Sequence, residues 1–106
     1  MKCFSPDGRN AALWWKAEKR FAKWGETPRD LNAKSIQMLN DGDAIVLDRD
    51  GLLQTAKGVW IGNFGAEATF AVAGSRLVVA APGVFIVFEQ NEKDWQQRAR
   101  NEYESI

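Results

Sequence analysis

The chain has no histidine and a single cysteine, Cys3, among its 106 residues. Without histidine it lacks both the side chain that titrates near neutral pH and the commonest metal ligand. One cysteine cannot close an internal disulfide, and a zinc site needs several Cys or His ligands. Neither sign of charge dominates: 14 Lys plus Arg stand against 14 Asp plus Glu, so the overall basic excess usual in polyanion-binding domains is missing. Long apolar runs are missing too. The strongest, Leu77 to Phe88, is broken by Pro82-Gly83 and falls short of the roughly 20 residues a spanning helix needs. The opening Met-Lys-Cys-Phe-Ser-Pro-Asp has neither an apolar h-region nor a small-residue cleavage site, so no signal peptide is expected. These absences lead to an expectation of one domain spanning residues 1–106, soluble and cytoplasmic, with no cofactor, no metal and no membrane partner.

Hydrophobic residues make up 45% of the chain and charged ones 26%, the composition of an ordinary globular domain rather than a disordered one. The charge is distributed unevenly. Residues 1–42 carry eight basic and five acidic side chains, residues 43–90 three and five, and residues 91–106 three and four. An electrostatic partner would therefore meet the N-terminal part first.

Periodicity divides the chain into three stretches. After Ser5-Pro6-Asp7-Gly8, Trp14, Ala17, Phe21 and Trp24 recur at helical spacing, with Leu13 beside them and Gly25 as the stop. Asp7 or Asn10 is the cap expected for this first helix. A second helix is expected from Thr27 as N-cap and Pro28 at N1, through Leu31, Ser35, Met38 and Leu39, to Asn40-Asp41-Gly42. From Asp43 the period changes to two. Six strand segments follow: Ala44–Leu47, Leu52–Ala56, Val59–Phe64, Ala68–Val72, Leu77–Ala81 and Val84–Glu89. The turns between them are short, which points to an antiparallel meander. Leu77–Ala81 and Val84–Phe88 are apolar on both faces, so helices, closure into a small barrel or a partner must cover the second face. A third helix is expected from Asn91, carrying Trp95, Ala99, Tyr103 and Ile106, with Asp94–Arg98 and Arg100–Glu104 as ion pairs. The expected fold is thus α+β: two N-terminal helices, a five- to six-stranded meander or small curled barrel, and a C-terminal amphipathic helix, with no internal repeat.

Few groups suggest chemistry. Asp41, Asp43, Asp48 and Asp50 form an acidic run, but their spacing does not match a calcium loop and suits turn capping better. Glu67, Glu89 and the aspartates could supply a carboxylate pair, although sequence cannot place them across a cleft. A metal-dependent nuclease pairing Asp50 with Glu67 would want a lysine two residues after the second acid, where Thr69 stands. Gly58, Gly62 and Gly65 lie in or between strands, not ahead of a helix, so they make no phosphate loop, and Gly62 reads as a bulge or a close backbone approach. Cys3 has no local cationic partner to activate it. The expectation is a protein that is not an enzyme.

The aromatic residues are more informative. Trp14 and Trp15 are adjacent and cannot both centre one narrow helical stripe. Trp14, Trp24 and Trp95 fit core stripes, leaving Trp15 and Trp60 at the boundary as anchor candidates. With the basic flank of the first helix, the expected partner-binding set is Trp15, Lys16, Lys19, Arg20, Lys23 and Trp60. The expected function is a small adaptor or inhibitor that occupies a surface of a larger protein partner, or that self-associates as a homodimer. Its size class suits accessory proteins of phages or other mobile elements. The alternative is nucleic-acid binding, with Lys16, Lys19, Arg20 and Lys23 on phosphates and Trp15 stacked on a base.

Overall fold

Strands account for all the regular structure of the described residues, which in this computed structural model are 2–5, 7–92 and 94–102. In chain order they are β1 (Lys2–Phe4), β2 (Ala11–Trp15), β3 (Arg20–Lys23), β4 (Arg29–Asp30), β5 (Ser35–Met38), β6 (Ala44–Leu47), β7 (Leu52–Thr55), β8 (Trp60–Asn63), β9 (Thr69–Ala73), β10 (Arg76–Ala81), β11 (Val84–Asn91) and β12 (Asp94–Glu102). Each consecutive four pair antiparallel into a sheet of their own, giving a first, second and third sheet in chain order. Corresponding strands of successive sheets begin about 33 residues apart, so the chain is a threefold structural repeat. Every hairpin within the sheets turns on a residue of positive φ. It is glycine in all but two, where Lys19 (φ 58) and Glu92 (φ 59) take its place.

This architecture overturns the α+β expectation. The segment read as a first helix is the hairpin β2–β3, in which Trp14 lies directly opposite Phe21 and Trp15 opposite Arg20. The second helix is replaced by the two-residue edge strand β4, a connection, and β5. The third is β12, an edge strand paired with β11 along its length, with Asn91 opposite Asp94 closing the turn. Tertiary pairing outweighs the helix propensity of its Gln, Arg and Ala residues. Arg98 approaches Glu89 at 4.0 Å and Arg100 pairs with Glu102 at 2.9 Å, in place of the helical ion pairs. Met1, Pro6, Lys93, Tyr103, Glu104 and Ile106 lie outside the described residues. The strands from residue 44 onward form neither one meander nor a barrel: β6–β8 complete the second sheet and β9–β11 belong to the third.

The sheets stack face to face in chain order. Met38, Ala44 and Val46 of the second sheet share a core with Ala12, Trp14 and Phe21 of the first. Ile45, Leu47 and Leu53 share another with Leu77, Val79, Ile86 and Phe88 of the third. Neighbouring residues of β6 thus alternate between two cores, which is why Ala44, Ile45, Val46 and Leu47 are all buried. Neither core cluster joins the first sheet to the third. The molecule is accordingly elongated, 44 × 29 × 20 Å, and the stack ends in two outer faces.

Basic side chains clamp the junctions. Lys23 Nζ donates to the Gly42 carbonyl at 3.1 Å and Arg29 Nη2 to that of Ala56 at 2.7 Å, tying the first sheet to the second. Lys34 Nζ donates to the Ala66 and Ala68 carbonyls at 2.9 and 3.4 Å, tying the second to the chain entering the third. Much of the N-terminal basic excess therefore goes to the protein's own carbonyls. Gly62 sits at a bulge, where Leu53 lies opposite Gly62 but Gln54 opposite Trp60, and a Cβ there would meet the Phe64 ring at 2.6 Å.

Candidate interaction face on the first sheet

Pairing in the first sheet sets which residues face outward. Leu13 lies opposite Ala22, Phe4 opposite Ala11, and Trp15 opposite Arg20. The Trp24 amide donates to the Ala11 carbonyl at 3.0 Å, carrying the ladder one residue beyond β3. Strand alternation sends Ala12, Trp14 and Phe21 into the core and leaves Leu13, Trp15 and Trp24 on the other side. Trp24 is 89% exposed, Phe4 56%, Leu13 44% and Trp15 37%. With Gly25 and Pro28 of the following turn they line a shallow, largely apolar groove of about 520 Å³. A contiguous exposed apolar patch with aromatic members is the usual mark of an interaction surface, and an aromatic side chain such as Trp24 gains on the order of 3 kcal/mol when buried.

The sequence-selected residues do not all gather here. Trp15 belongs to this face and Arg20 lies beside it, opposite both Trp15 and Asp30. Lys16 stands 5.7 Å from the centre of the Trp14 ring. Lys19 occupies the β2–β3 turn, where its carbonyl accepts the Leu31 amide at 2.7 Å. Lys23 is engaged with Gly42 and lies 3.6 Å from Glu26, with only 26% of its side chain exposed. The helical flank that was to align these four cations does not form. Trp60 is exposed on β8, an edge strand of the second sheet, and is not among the residues lining the groove. Sequence reasoning missed Phe4, and it assigned Trp24 to the core when it is the most exposed tryptophan.

A second concavity of about 910 Å³ lies between the second and third sheets, lined by Asp41, Asp43, Lys57, Glu92, Asp94 and Trp95, among others. Asp41 and Asp43 accept hydrogen bonds from the chain's own groups. Asp43 Oδ1 accepts the Ala44 and Lys57 amides at 2.8 and 3.3 Å, and Asp41 accepts the Asp43 amide at 2.9 Å and the Gln90 side chain at 3.1 Å. Asp48 Oδ1 likewise accepts the Asp50 and Leu52 amides, both at 2.9 Å, as turn-capping aspartates do. Among the described residues no group of three or more Cys, His, Asp or Glu side chains converges as metal ligands would. Burial raises the Cys3 thiol above its ordinary 9.0, which keeps it protonated and a poor nucleophile near neutral pH.

The chain matches no family model, no curated protein and no solved structure. No helix among the described residues is long and apolar enough to cross a membrane.

Proposed function

We propose that this chain is a non-catalytic binding protein, an adaptor or inhibitor, that docks on protein surfaces with the outer face of its first sheet. The observation that carries this reading is the contiguous exposed set Phe4, Leu13, Trp15 and Trp24 on one side of a small sheet. Binding by such a face takes affinity from the buried aromatics and orientation from the flanking charges, here Arg20, Glu26 and Asp30. A protein surface is favoured over nucleic acid because Lys23, Arg29 and Lys34 are committed to the chain's own carbonyls. A reducing, cytoplasmic setting suits a chain whose single cysteine is half-buried and unactivated.

The test compares wild-type chain with Trp24→Ser and Trp60→Ser, immobilised at equal density and exposed to an extract of the cells that make it. A protein retained by wild type and by Trp60→Ser but lost from Trp24→Ser supports the reading, whether it is a second protein or further copies of the chain. Equal retention on Trp24→Ser, or no retention on any of the three, contradicts it.

A further inference from the structure

The third sheet, at the other end of the stack, also has an open outer face. Register places Ala71, Val78, Val87 and Ala99 in one row across it, and Ala80 opposite Phe85 in the next. Their partners in alternation, Leu77, Val79, Ile86 and Phe88, are buried against the second sheet. The middle of the face is therefore apolar and built mostly of small residues, with Phe85 42% exposed and the polar Thr69 and Asn101 at the two ends of its row. Charge is confined to its margin, where Glu89 lies 3.9 Å from Arg76 and 4.0 Å from Arg98.

We propose that the outer face of the first sheet docks on the outer face of the third sheet of a second copy of this chain, so that two copies stack head to tail. The proposal rests on the reading of the first sheet's outer face as a protein-docking surface and names its occupant. It is first an argument of continuity, because the chain already makes this face-to-face junction twice, between its first and second sheets and between its second and third. It is also an argument of size. At the first junction the large Trp14 and Phe21 of the first sheet share a core with the small Ala44 and Val46 of the second, beside Met38. The open ends repeat that relation, with Leu13, Trp15 and Trp24 on one and Ala71, Ala80 and Ala99 on the other. Setting large side chains against small ones is one way facing sheets reach close packing. Joining two first-sheet faces would set aromatic against aromatic and leave the third sheet's face in water.

Closure supplies the stoichiometry. Four-stranded meanders stacked face to face in chain order close into propeller rings of about four to eight. One chain has three sheets and two copies supply six. A head-to-tail contact that closes gives a finite dimer in which each chain uses both of its outer faces, rather than an open filament.

The experiment measures mass by sedimentation across the micromolar range for wild type, Trp24→Asp, Ala99→Arg and an equimolar mixture of the two variants. Ala71→Arg, on the opposite edge of the third sheet's face, serves as a second variant, and near-UV circular dichroism reports folding of each. Wild type is expected at twice the chain mass. Each variant alone is expected to self-associate more weakly by roughly tenfold or more. The mixture is expected to regain two-chain particles, because the intact third sheet of Trp24→Asp meets the intact first sheet of Ala99→Arg. Wild type at single-chain mass throughout overturns the proposal. So does a dimer that tolerates both third-sheet variants but not Trp24→Asp, which is the signature of first sheet on first sheet, and so does a mixture that regains nothing. These failures are distinct from failure of the docking reading, which is read in the capture experiment as equal retention on Trp24→Ser or no retention at all.

Discussion

Replacing Gly51 with alanine should destabilise the chain far more than the same change at Gly58, and the difference measures one contact in the stack. Both residues sit in hairpin turns of the second sheet with nearly the same backbone, φ +93 and +96. An L-residue held there costs about 1–2 kcal/mol, and the reduced freedom of the unfolded chain offsets about 0.5–1 kcal/mol of that in either variant. Those contributions cancel in the comparison. Around Gly58 nothing lies within 4 Å of an added Cβ, whereas at Gly51 the Cβ would fall inside the peptide of Gly65. The Gly51 carbonyl also accepts the Phe64 amide at 2.9 Å, so the turn cannot move away without breaking the bond that holds the chain leaving β8. Forcing a methyl into a packed site costs about 1–3 kcal/mol, and that is the predicted excess of Gly51→Ala over Gly58→Ala. In a domain of this size the excess corresponds to a melting temperature lower by roughly 4–8 °C for each kcal/mol. Urea unfolding followed by tryptophan fluorescence gives both values. If the two variants agree within about 0.5 kcal/mol, the β6–β7 turn does not press on the link to β9 as described here.

Two further predictions concern the clamps and the N-terminal turn. Arg29→Ala and Lys34→Ala should each lower stability by about 0.5–1.5 kcal/mol in urea titrations, through loss of their bonds to backbone carbonyls across the junctions, whereas Arg49→Ala, in a turn without such a bond, serves as the unaffected control. The Asp7 carboxyl is held below its ordinary 3.8 by the Ser5 hydroxyl that donates to it at 2.6 Å, and then by the Arg9 amide at 3.0 Å. Its folded value is depressed, so its contribution is complete above pH 3.8 and is lost as pH falls through the lower folded value. The urea midpoints of wild type and Asp7→Asn should therefore differ at pH 6 and converge in that acid range; a constant gap would contradict the assignment.

The strands from β6 to β11 were legible because their signals do not compete: Ala44–Leu47 is β6 as read, and Asp50-Gly51, Gly74 and Pro82-Gly83 lie at the turns assigned to them. The helices misled for a physical reason. Residues seven apart share a helix face, and a hairpin turning over Lys16–Lys19 sets the same pair, Trp14 and Phe21, directly opposite each other. The Trp14-Trp15 doublet was the visible clue, since opposite faces of a strand suit both residues and one helical stripe does not. Asn91, Thr27 and Asp7 were ambiguous because the side chains that cap helices also make turns. The repeat left little trace in residue identity: Ala-Ala-Leu-Trp-Trp, Ala-Ile-Val-Leu and Arg-Leu-Val-Val-Ala-Ala are its corresponding second strands. It is visible only in the spacing of turn glycines such as Gly8, Gly42 and Gly74, about 33 residues apart. That β10 and β11 carry apolar residues on both faces was legible. That the first sheet exposes Trp24 was not, because the choice between core and solvent followed from a helix that does not form.

The central claim, that the outer face of the first sheet is where this chain docks, is most directly tested by oxidative footprinting read by mass spectrometry on the dilute chain and on its associated form. Reactivity of Trp24, Trp15 and Leu13 should fall on association while exposed Trp60 stays as reactive as before. Protection of Trp60 with Trp24 still fully reactive would contradict the account.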